Sequence, residues 1–189
     1  MTRIVSGFAG SLSLEVPRSG TRPTSDRVRE AMFSALDARD ALHGARVLDL
    51  YAGSGALGLE AASRGAAAVT LVERDRAAAA IARRNADLLL RSAPAAARPR
   101  IEVATQPVAG WLALAAGSEW DLVFADPPYE LEETELAAVL DRLAEILAPD
   151  GDLVVERSSR SPEPSLPAGL ALERTRRYGE TAVHWIVRA

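Results

Sequence analysis

Four consecutive residues, Asp126-Pro127-Pro128-Tyr129, combine a carboxylate, two rigid positions and an aromatic ring. The Asp126 carboxylate and the main-chain carbonyl of Pro127 can each accept an N–H bond from an exocyclic amine, which turns the nitrogen lone pair toward an electrophile. The prolines restrict the backbone that carries these acceptors, and Tyr129 offers a flat face for stacking an extruded base. These four residues are the predicted catalytic group, and the amine belongs to a nucleobase or a glutamine side chain.

A turn of small residues, Ala52-Gly53-Ser54-Gly55, lies between an apolar strand pattern at 47–50 and a helical pattern that starts near residue 56. Glycines allow the tight turn and let a ligand approach the main chain, where backbone N–H groups and a positive helix end converge. The spacing Gly53-x-Gly55-x-x-Gly58, with Glu73 about twenty residues on, fits a dinucleotide fingerprint. It also fits the nucleoside pocket of S-adenosylmethionine (SAM) enzymes, which carry an acidic residue ahead of the glycines, here Asp49. A turn that holds no ligand is the third alternative.

The amine-holding motif favours SAM, because the SAM sulfonium is itself the electrophile that such a motif serves, whereas a nicotinamide enzyme has no use for it. Glu73 is expected to accept the ribose hydroxyls, Asp49 to support the methionine amino group or orient the turn, and the segment 105–106 to lie near the adenine. The predicted cofactor-binding residues are Asp49, Tyr51, Ala52, Gly53, Ser54, Gly55, Glu73, Arg74, Thr105 and Gln106.

Apolar runs and helical periodicities alternate along most of the chain, which predicts an α/β fold with a mostly parallel sheet covered on both faces. The predicted strands are 46–50, 69–73, 101–104, 121–125 and 152–156, closed by an antiparallel hairpin of 170–178 and 181–187. The predicted helices are 56–64, 75–91, 107–116 and 132–148, preceded by a β-hairpin at 2–16 and a helix capped at residues 24–26 that runs to about Leu42. Because ligands sit at the carboxyl ends of such strands, the strands before Tyr51 and Asp126 should be neighbours.

The length and composition of the chain exclude several classes of protein and several kinds of site. The 189 residues suit one domain with a small appendage, and no apolar run is long enough for a membrane span. Without cysteine, disulfides, thiolate metal sites and a cysteine nucleophile are excluded, and the two histidines are far apart in sequence. We therefore expect a cytoplasmic, metal-free protein with no membrane contact.

Charge is distributed unevenly along the chain. Residues 1–29 carry five arginines against two acidic residues, whereas residues 119–156 carry twelve acidic residues against one arginine. One end of the molecule could therefore hold phosphate while another repels it, although the overall net charge is −4.

Taken together, the motifs resemble those of the bacterial 16S rRNA guanine-N2 methyltransferases of the RsmD type. The likeness covers the whole chain and is carried by the segments 3–7, 22–30, 48–55 and 126–129, with a closing hairpin at Tyr178-Gly179. It implies a SAM-dependent methyltransferase (Rossmann-like) fold, with a seven-stranded sheet that ends in the antiparallel hairpin. The domains are then an N-terminal hairpin extension at 1–23, which contacts RNA, and a methyltransferase domain at 24–189.

The resemblance also implies a reaction and a partner: methylation of the 2-amino group of a flipped guanine in 16S rRNA, on an assembled 30S particle. We expect the protein to be a monomer. The implied RNA-binding residues are Arg3, Arg18, Arg22, Arg27 and Arg29. The hairpin bend at 8–11 lacks the basic residues that are typical of the family. Two alternatives stay open: an adenine-N6 DNA methyltransferase and a non-catalytic ribosome assembly factor with the same fold.

Overall fold

The computed structural model describes residues 2–17, 26–128 and 130–189. The strands are β1 (Thr2–Arg3), β2 (Ser13–Leu14), β3 (Arg46–Leu50), β4 (Ala68–Glu73), β5 (Arg100–Thr105), β6 (Trp120–Ala125), β7 (Leu147–Ser158), β8 (Leu170–Tyr178) and β9 (Thr181–Arg188). The helices are α1 (Asp26–Asp37), α2 (Ala56–Ser63), α3 (Arg76–Ser92), α4 (Val108–Leu114) and α5 (Glu133–Ile146), with a short 3₁₀ turn at Ala95–Ala97.

Seven strands form the main sheet in the order β5-β4-β3-β6-β7-β9-β8. Neighbours from β5 to β7 are parallel, whereas β9 is antiparallel to both β7 and β8. Each parallel connection runs through a helix, which is the usual way to cross between parallel strands. The predicted parallel sheet with a closing antiparallel hairpin is confirmed.

Strands β3 and β6 are hydrogen-bonded neighbours, as predicted, and their last paired residues are Leu50 and Ala125. From β3 the chain continues to β4 on one side, and it returns to β6 on the other side only after β5. This reversal of direction is a topological switch point, where parallel α/β sheets open a crevice beyond the strand ends. The residues after Leu50 and after Ala125 therefore emerge at the same crevice.

Two hydrophobic layers cover the sheet. On one face, α1, α2 and α3 pack through residues such as Phe33, which lies 5.5 Å from the Phe124 ring. On the other face, α4 and α5 cover side chains that include Leu48 and Val155. Because both faces are buried, the inner strands are mostly apolar, which is typical of parallel sheets, and the buried carboxyl of Asp49 in β3 is an exception.

The prediction for α1 was wrong at its carboxyl end, which lies at Asp37 and not near Leu42. The chain turns there with Asp40 in the left-handed region (φ 54°), and the Ala41 N–H donates to the Leu36 carbonyl. Leu42 is still buried, but from the following loop. Its helical spacing reflected burial and was mistaken for continued helix. Strand β7 is also longer than the predicted 152–156.

The N-terminal hairpin has strands of two residues each, much shorter than the pattern over 2–16 suggested. The segment is instead held against α2. The buried Glu60 carboxylate accepts the Val5 and Ser6 N–H groups at 2.6 and 3.0 Å, and the Phe8 N–H donates to the Ser63 carbonyl. The proposed domain boundary after residue 23 lies outside the described residues and stays a prediction.

Among the helices of the described segments, none is both long and apolar enough to cross a bilayer. Within residues 2–17, 26–128 and 130–189, no three His, Asp or Glu side chains are grouped so that they could hold a metal ion.

Candidate active site

A cavity of about 850 Å³ opens at the carboxyl edge of the sheet, where β3 and β6 end. Two stretches that are far apart in sequence line it together. Tyr51 to Ser54 form one side, and Asp126 to Pro128 form the other. Both predicted motifs therefore border one cavity, which is large enough for a small-molecule ligand. Tyr129 lies outside the described residues.

The turn after β3 is built from positive backbone angles, with φ of 60° at Tyr51, 55° at Gly53 and 81° at Gly55. Tyr51 is one of three described residues other than glycine with positive φ, and such outliers concentrate at functional sites. The Gly55 N–H donates to the Ala52 carbonyl at 2.7 Å and closes the turn. Helix α2 follows directly, so its free N–H groups are near the cavity.

The three motif glycines serve different purposes. A side chain at Gly53 would meet no protein atom within 4 Å, so the space beside its backbone is open. A Cβ at Gly55 would lie 2.7 Å from a Leu71 methyl carbon, and one at Gly58 would lie 2.4 Å from another. Gly53 therefore keeps room for a ligand, whereas Gly55 and Gly58 allow the turn and α2 to pack against β4. Consistent with this, Gly55 does not line the cavity, although it was predicted to bind cofactor.

Two carboxylates, Glu73 at the end of β4 and Asp49 within β3, hold the turn and helix α2 through backbone amides. Glu73 Oε2 accepts from the Gly53 N–H at 2.9 Å, and its Oε1 accepts from the Asp75 N–H at 2.7 Å. Asp49 Oδ2 accepts from the Gly58 N–H at 2.8 Å. A carboxylate has about four lone-pair sites, so Glu73 retains acceptor capacity toward the cavity.

Asp49 is almost fully buried, and this burial raises its pKa to about 7. The hydrogen bond from Gly58 acts in the opposite direction, while the nearby charge of Glu73 raises the pKa further. Burial likewise raises the pKa of Tyr51 to about 12, so its phenol stays neutral near neutral pH. A buried carboxyl that titrates near pH 7 and borders a cavity is a functional-site signal.

The Asp126 side of the cavity is a short loop between β6 and α5. Pro127 is buried, Pro128 is exposed, and the Pro128 carbonyl accepts from the Leu131 N–H at 3.0 Å. Arg157, at the end of β7, donates to the Leu131 carbonyl at 3.1 Å and pairs with Glu133. Arg157 is itself buried. The loop is therefore held by a core side chain that sequence analysis did not select.

Of the residues predicted to bind cofactor, Ala52, Ser54 and Arg74 line the cavity, but Thr105 and Gln106 do not. The Thr105 hydroxyl instead accepts from Arg83 Nη2 at 2.5 Å. The wall on that side is formed by α4, through Val108 and Leu112, which sequence analysis did not select. Their spacing of four residues in an apolar helix was a usable signal, since it places both on one face.

The predicted RNA-binding arginines separate into three groups. Arg3 and Arg27 are exposed, whereas Arg18 and Arg22 lie outside the described residues. Arg29 is 1% exposed and donates to the Thr2 hydroxyl at 2.7 Å and to the Arg3 carbonyl at 2.5 Å. Its burial does not fit the expected surface contact with RNA phosphate, and we correct its role to holding the N-terminal strand beside the cavity, which it also lines.

Comparisons with known proteins identify the family of this chain. The family model described as Conserved hypothetical protein 95 matches residues 2–187. The Escherichia coli (strain K12) protein named Ribosomal RNA small subunit methyltransferase D is 36% identical over 186 residues, which cover 95% of this chain and 86% of the relative. The chain belongs to this family, the RsmD-type methyltransferases.

Solved structures show the same architecture. A hypothetical protein of Thermus thermophilus is 33% identical, covers 100% of each chain and superposes with a TM-score of 0.79. The magnesium protoporphyrin IX methyltransferase of Synechocystis PCC 6803, solved with bound SAM, is 19% identical and covers 90% of this chain and 87% of its own, with a TM-score of 0.65. The second likeness shows the fold alone.

Proposed function

We propose that this member of the RsmD family transfers a methyl group from SAM to the exocyclic N2 amine of a guanine in the 16S rRNA of the small ribosomal subunit. The observation that carries the proposal is the single cavity that Gly53 shares with Asp126 and Pro127. A methyl donor and an amine acceptor must meet within one enclosure, and this cavity has a side suited to each. The family relative named for small-subunit rRNA methylation supplies the substrate class.

The residues present fit SAM by their donor chemistry. The open space beside Gly53 admits a ligand to the main chain, and Glu73 retains acceptor sites that suit ribose hydroxyls. Asp49 can face a cationic amino group, whose charge would favour the ionised carboxylate. Val108 and Leu112 supply an apolar surface that suits an adenine ring. When bound, SAM supplies an activated methyl group, so the protein needs neither a metal ion nor a strong base.

On the acceptor side, Asp126 and Pro127 hold the amine. The guanine N2 lone pair is delocalised into the ring, so the free base is a poor nucleophile. Two acceptors, one from the Asp126 carboxylate and one from the Pro127 carbonyl, would take the two N–H bonds and direct the lone pair into the cavity. As the nitrogen becomes cationic, the same carboxylate stabilises the charge and is placed to accept the proton that is lost.

The test is to incubate the protein with labelled SAM and three substrates: 30S particles from cells that lack this protein, naked 16S rRNA and duplex DNA. We expect label in rRNA, recovered as N2-methylguanosine after digestion and mass spectrometry. Asp126→Ala should abolish the transfer. Asp121→Ala is the matched control, because it removes a half-exposed carboxylate at the amino end of β6, away from Asp126, where it pairs with Arg46.

Three outcomes would refute the proposal. Label confined to DNA adenine would make the protein an adenine-N6 DNA methyltransferase. Binding of SAM without transfer to any substrate would favour a non-catalytic assembly factor. A calorimetric titration that detects binding of NAD but not of SAM would show that the glycine turn binds a dinucleotide.

The exposed arginines near the N-terminus are proposed to contact the rRNA backbone, since phosphates dominate affinity for nucleic acids. Arg3→Glu with Arg27→Glu should raise KM for the 30S particle by about tenfold and leave the Kd for SAM unchanged. Arg100→Glu, at the amino end of the β5 edge strand and paired with Glu102, serves as the control for a lost surface arginine. If Arg100→Glu raised KM as much as the double change does, the higher KM would reflect the lower net charge of the protein and not the loss of specific contacts with RNA.

A further inference from the structure

Asn85 is a polar side chain on the buried face of helix α3, whose other buried residues are mostly alanine and leucine. Its side chain is 1% exposed, and an unpaired amide there would be costly. The amide instead makes three hydrogen bonds, one through its oxygen and two through its nitrogen. Its partners belong to two separate segments: the glycine turn, which lines the cavity at Ser54, and the N-terminal segment, which lines it just after Glu15.

One partner is the N-terminal segment. The Glu15 N–H donates to Asn85 Oδ1 at 2.9 Å, and Asn85 Nδ2 donates back to the Glu15 carbonyl at 2.9 Å. These two hydrogen bonds engage both the N–H and the carbonyl of Glu15, so they hold its main chain in place. The next two residues, Val16 and Pro17, line the cavity. Asn85 therefore sets the position of the cavity wall that the N-terminal segment provides.

The other partner is the turn on the proposed cofactor side. Asn85 Nδ2 also donates to the Ser54 carbonyl at 2.9 Å, so its two N–H bonds reach two separate segments. Ser54 lies between Gly53 and Gly55 and lines the cavity. The contacts from α2 to the N-terminal segment, through Glu60 and Ser63, hold residues 5–9 and do not reach Glu15.

We infer that Asn85 is a positioning residue that couples cofactor binding at the glycine turn to RNA binding at the N-terminal wall. The inference rests on the proposed function. A ligand that orders the turn also holds the Ser54 carbonyl in place, and through one rigid amide it orders Glu15 and the wall at Val16 and Pro17. Coupling of this kind is reciprocal, so each ligand should tighten the binding of the other by the same factor.

The experiment measures that factor with S-adenosylhomocysteine, which cannot donate a methyl group, and 30S particles from cells that lack this protein. The Kd for the particle is measured with and without saturating S-adenosylhomocysteine. We expect about tenfold tighter binding with it in the wild type. Asn85→Asp keeps the acceptor for the Glu15 N–H but turns an oxygen toward two carbonyls, and the ratio should fall to near one.

Arg84→Gln is the matched control, because Arg84 precedes Asn85 on α3 and pairs with the exposed Glu15 carboxylate at 2.7 Å. It should keep the wild-type ratio. Asn85→Ala is a second variant that removes the amide without adding charge, and circular dichroism establishes that each variant is folded. A merely structural role would lower both affinities and leave their ratio unchanged.

The outcomes separate this inference from the proposed function. If the wild type binds neither S-adenosylhomocysteine nor the particle, the proposed function fails. If it binds both with a ratio of one, or if folded Asn85 variants keep the tenfold ratio, the coupling is refuted and the proposed function stands. Failure of both variants to fold, with Arg84→Gln intact, would reduce Asn85 to a scaffold residue and overturn the inference.

Discussion

The two sides of the cavity are held in different ways. On the glycine side, buried or half-buried polar groups (Asp49, Glu73 and Asn85) bind the main chain of the turn and of α2 directly. On the other side, the loop after Asp126 depends on the restricted backbone of its prolines and on Arg157 beneath Leu131.

This difference predicts different sensitivities. The glycine side is a network in which each carboxylate satisfies a specific N–H group, so the loss of one leaves a polar group unpaired. The Asp126 side concentrates its chemistry in one carboxylate and one carbonyl, so it should tolerate changes in its supports but not in Asp126. The four predictions that follow test this contrast, beginning with the largest effect.

Asp126→Ala should lower kcat at least about 1,000-fold, because it removes an acceptor that works mainly in the transition state. The Kd for SAM, measured by calorimetry, should change by less than about threefold, since Asp126 belongs to the acceptor side. Asp121→Ala should keep both values. A large loss of SAM affinity in Asp126→Ala would show that the two sides are not separable.

Glu73→Gln should weaken SAM binding about 100-fold in calorimetry. The amide can accept only through one oxygen, so the N–H groups of Gly53 and Asp75 are no longer both satisfied, and ribose acceptor sites are lost. Glu102→Gln on the neighbouring strand β5, where the side chain is exposed, is the control. An unchanged Kd in Glu73→Gln would remove Glu73 from the cofactor site.

Asp49→Asn tests the pH dependence of the buried side. Since burial raises the Asp49 pKa from 3.8 to about 7, the folded state binds its proton more tightly than the unfolded state does. Its stabilising contribution is full below about pH 4 and is lost as pH rises through about 7. The advantage of the wild type over Asp49→Asn in urea denaturation should therefore shrink by about 2 kcal/mol from pH 5 to pH 7. A constant difference would contradict the raised pKa.

Arg157→Met should have the smallest effect, lowering kcat about three- to tenfold while leaving the Kd for SAM unchanged. The loop loses its bond to the Leu131 carbonyl, but the prolines still restrict it. Arg160→Met removes an exposed arginine three residues further on and should be neutral. A loss as large as that of Asp126→Ala would mean that Arg157, and not proline geometry, positions the loop.

The strands illustrate how far sequence patterns reach. Strand β3 begins and ends where the pattern predicted, because burial on two faces leaves a continuous apolar signal. The β8–β9 hairpin matches within a residue for a different reason, since roughly alternating residues flank the turn at Gly179. The end of α1 did not follow its pattern, since Leu42 is buried without being helical. Periodicity reports which side chains are buried and not which backbone angles bury them.

The residues of the site also divide into those that local sequence patterns can identify and those that they cannot. Gly53, Glu73 and Asp126 could be selected because turn geometry and amine chemistry demand those residue types at those places in the chain. Asn85 and Arg157 could not, because each is one polar residue in an ordinary helix or strand, and its role depends on segments 31 or more residues away in one case and 24 or more in the other.

By itself, therefore, the sequence determined the class of fold and the residue types at the cavity, since hydrophobic periodicity and short-range backbone chemistry are encoded locally. Only the tertiary structure decided that Arg29 faces inward, that α4 and not the segment 105–106 lines the cavity, and that one buried amide links the turn to the N-terminal wall. Those outcomes depend on which distant segments share a core. Packing is a property of the whole chain, and no local pattern specifies it.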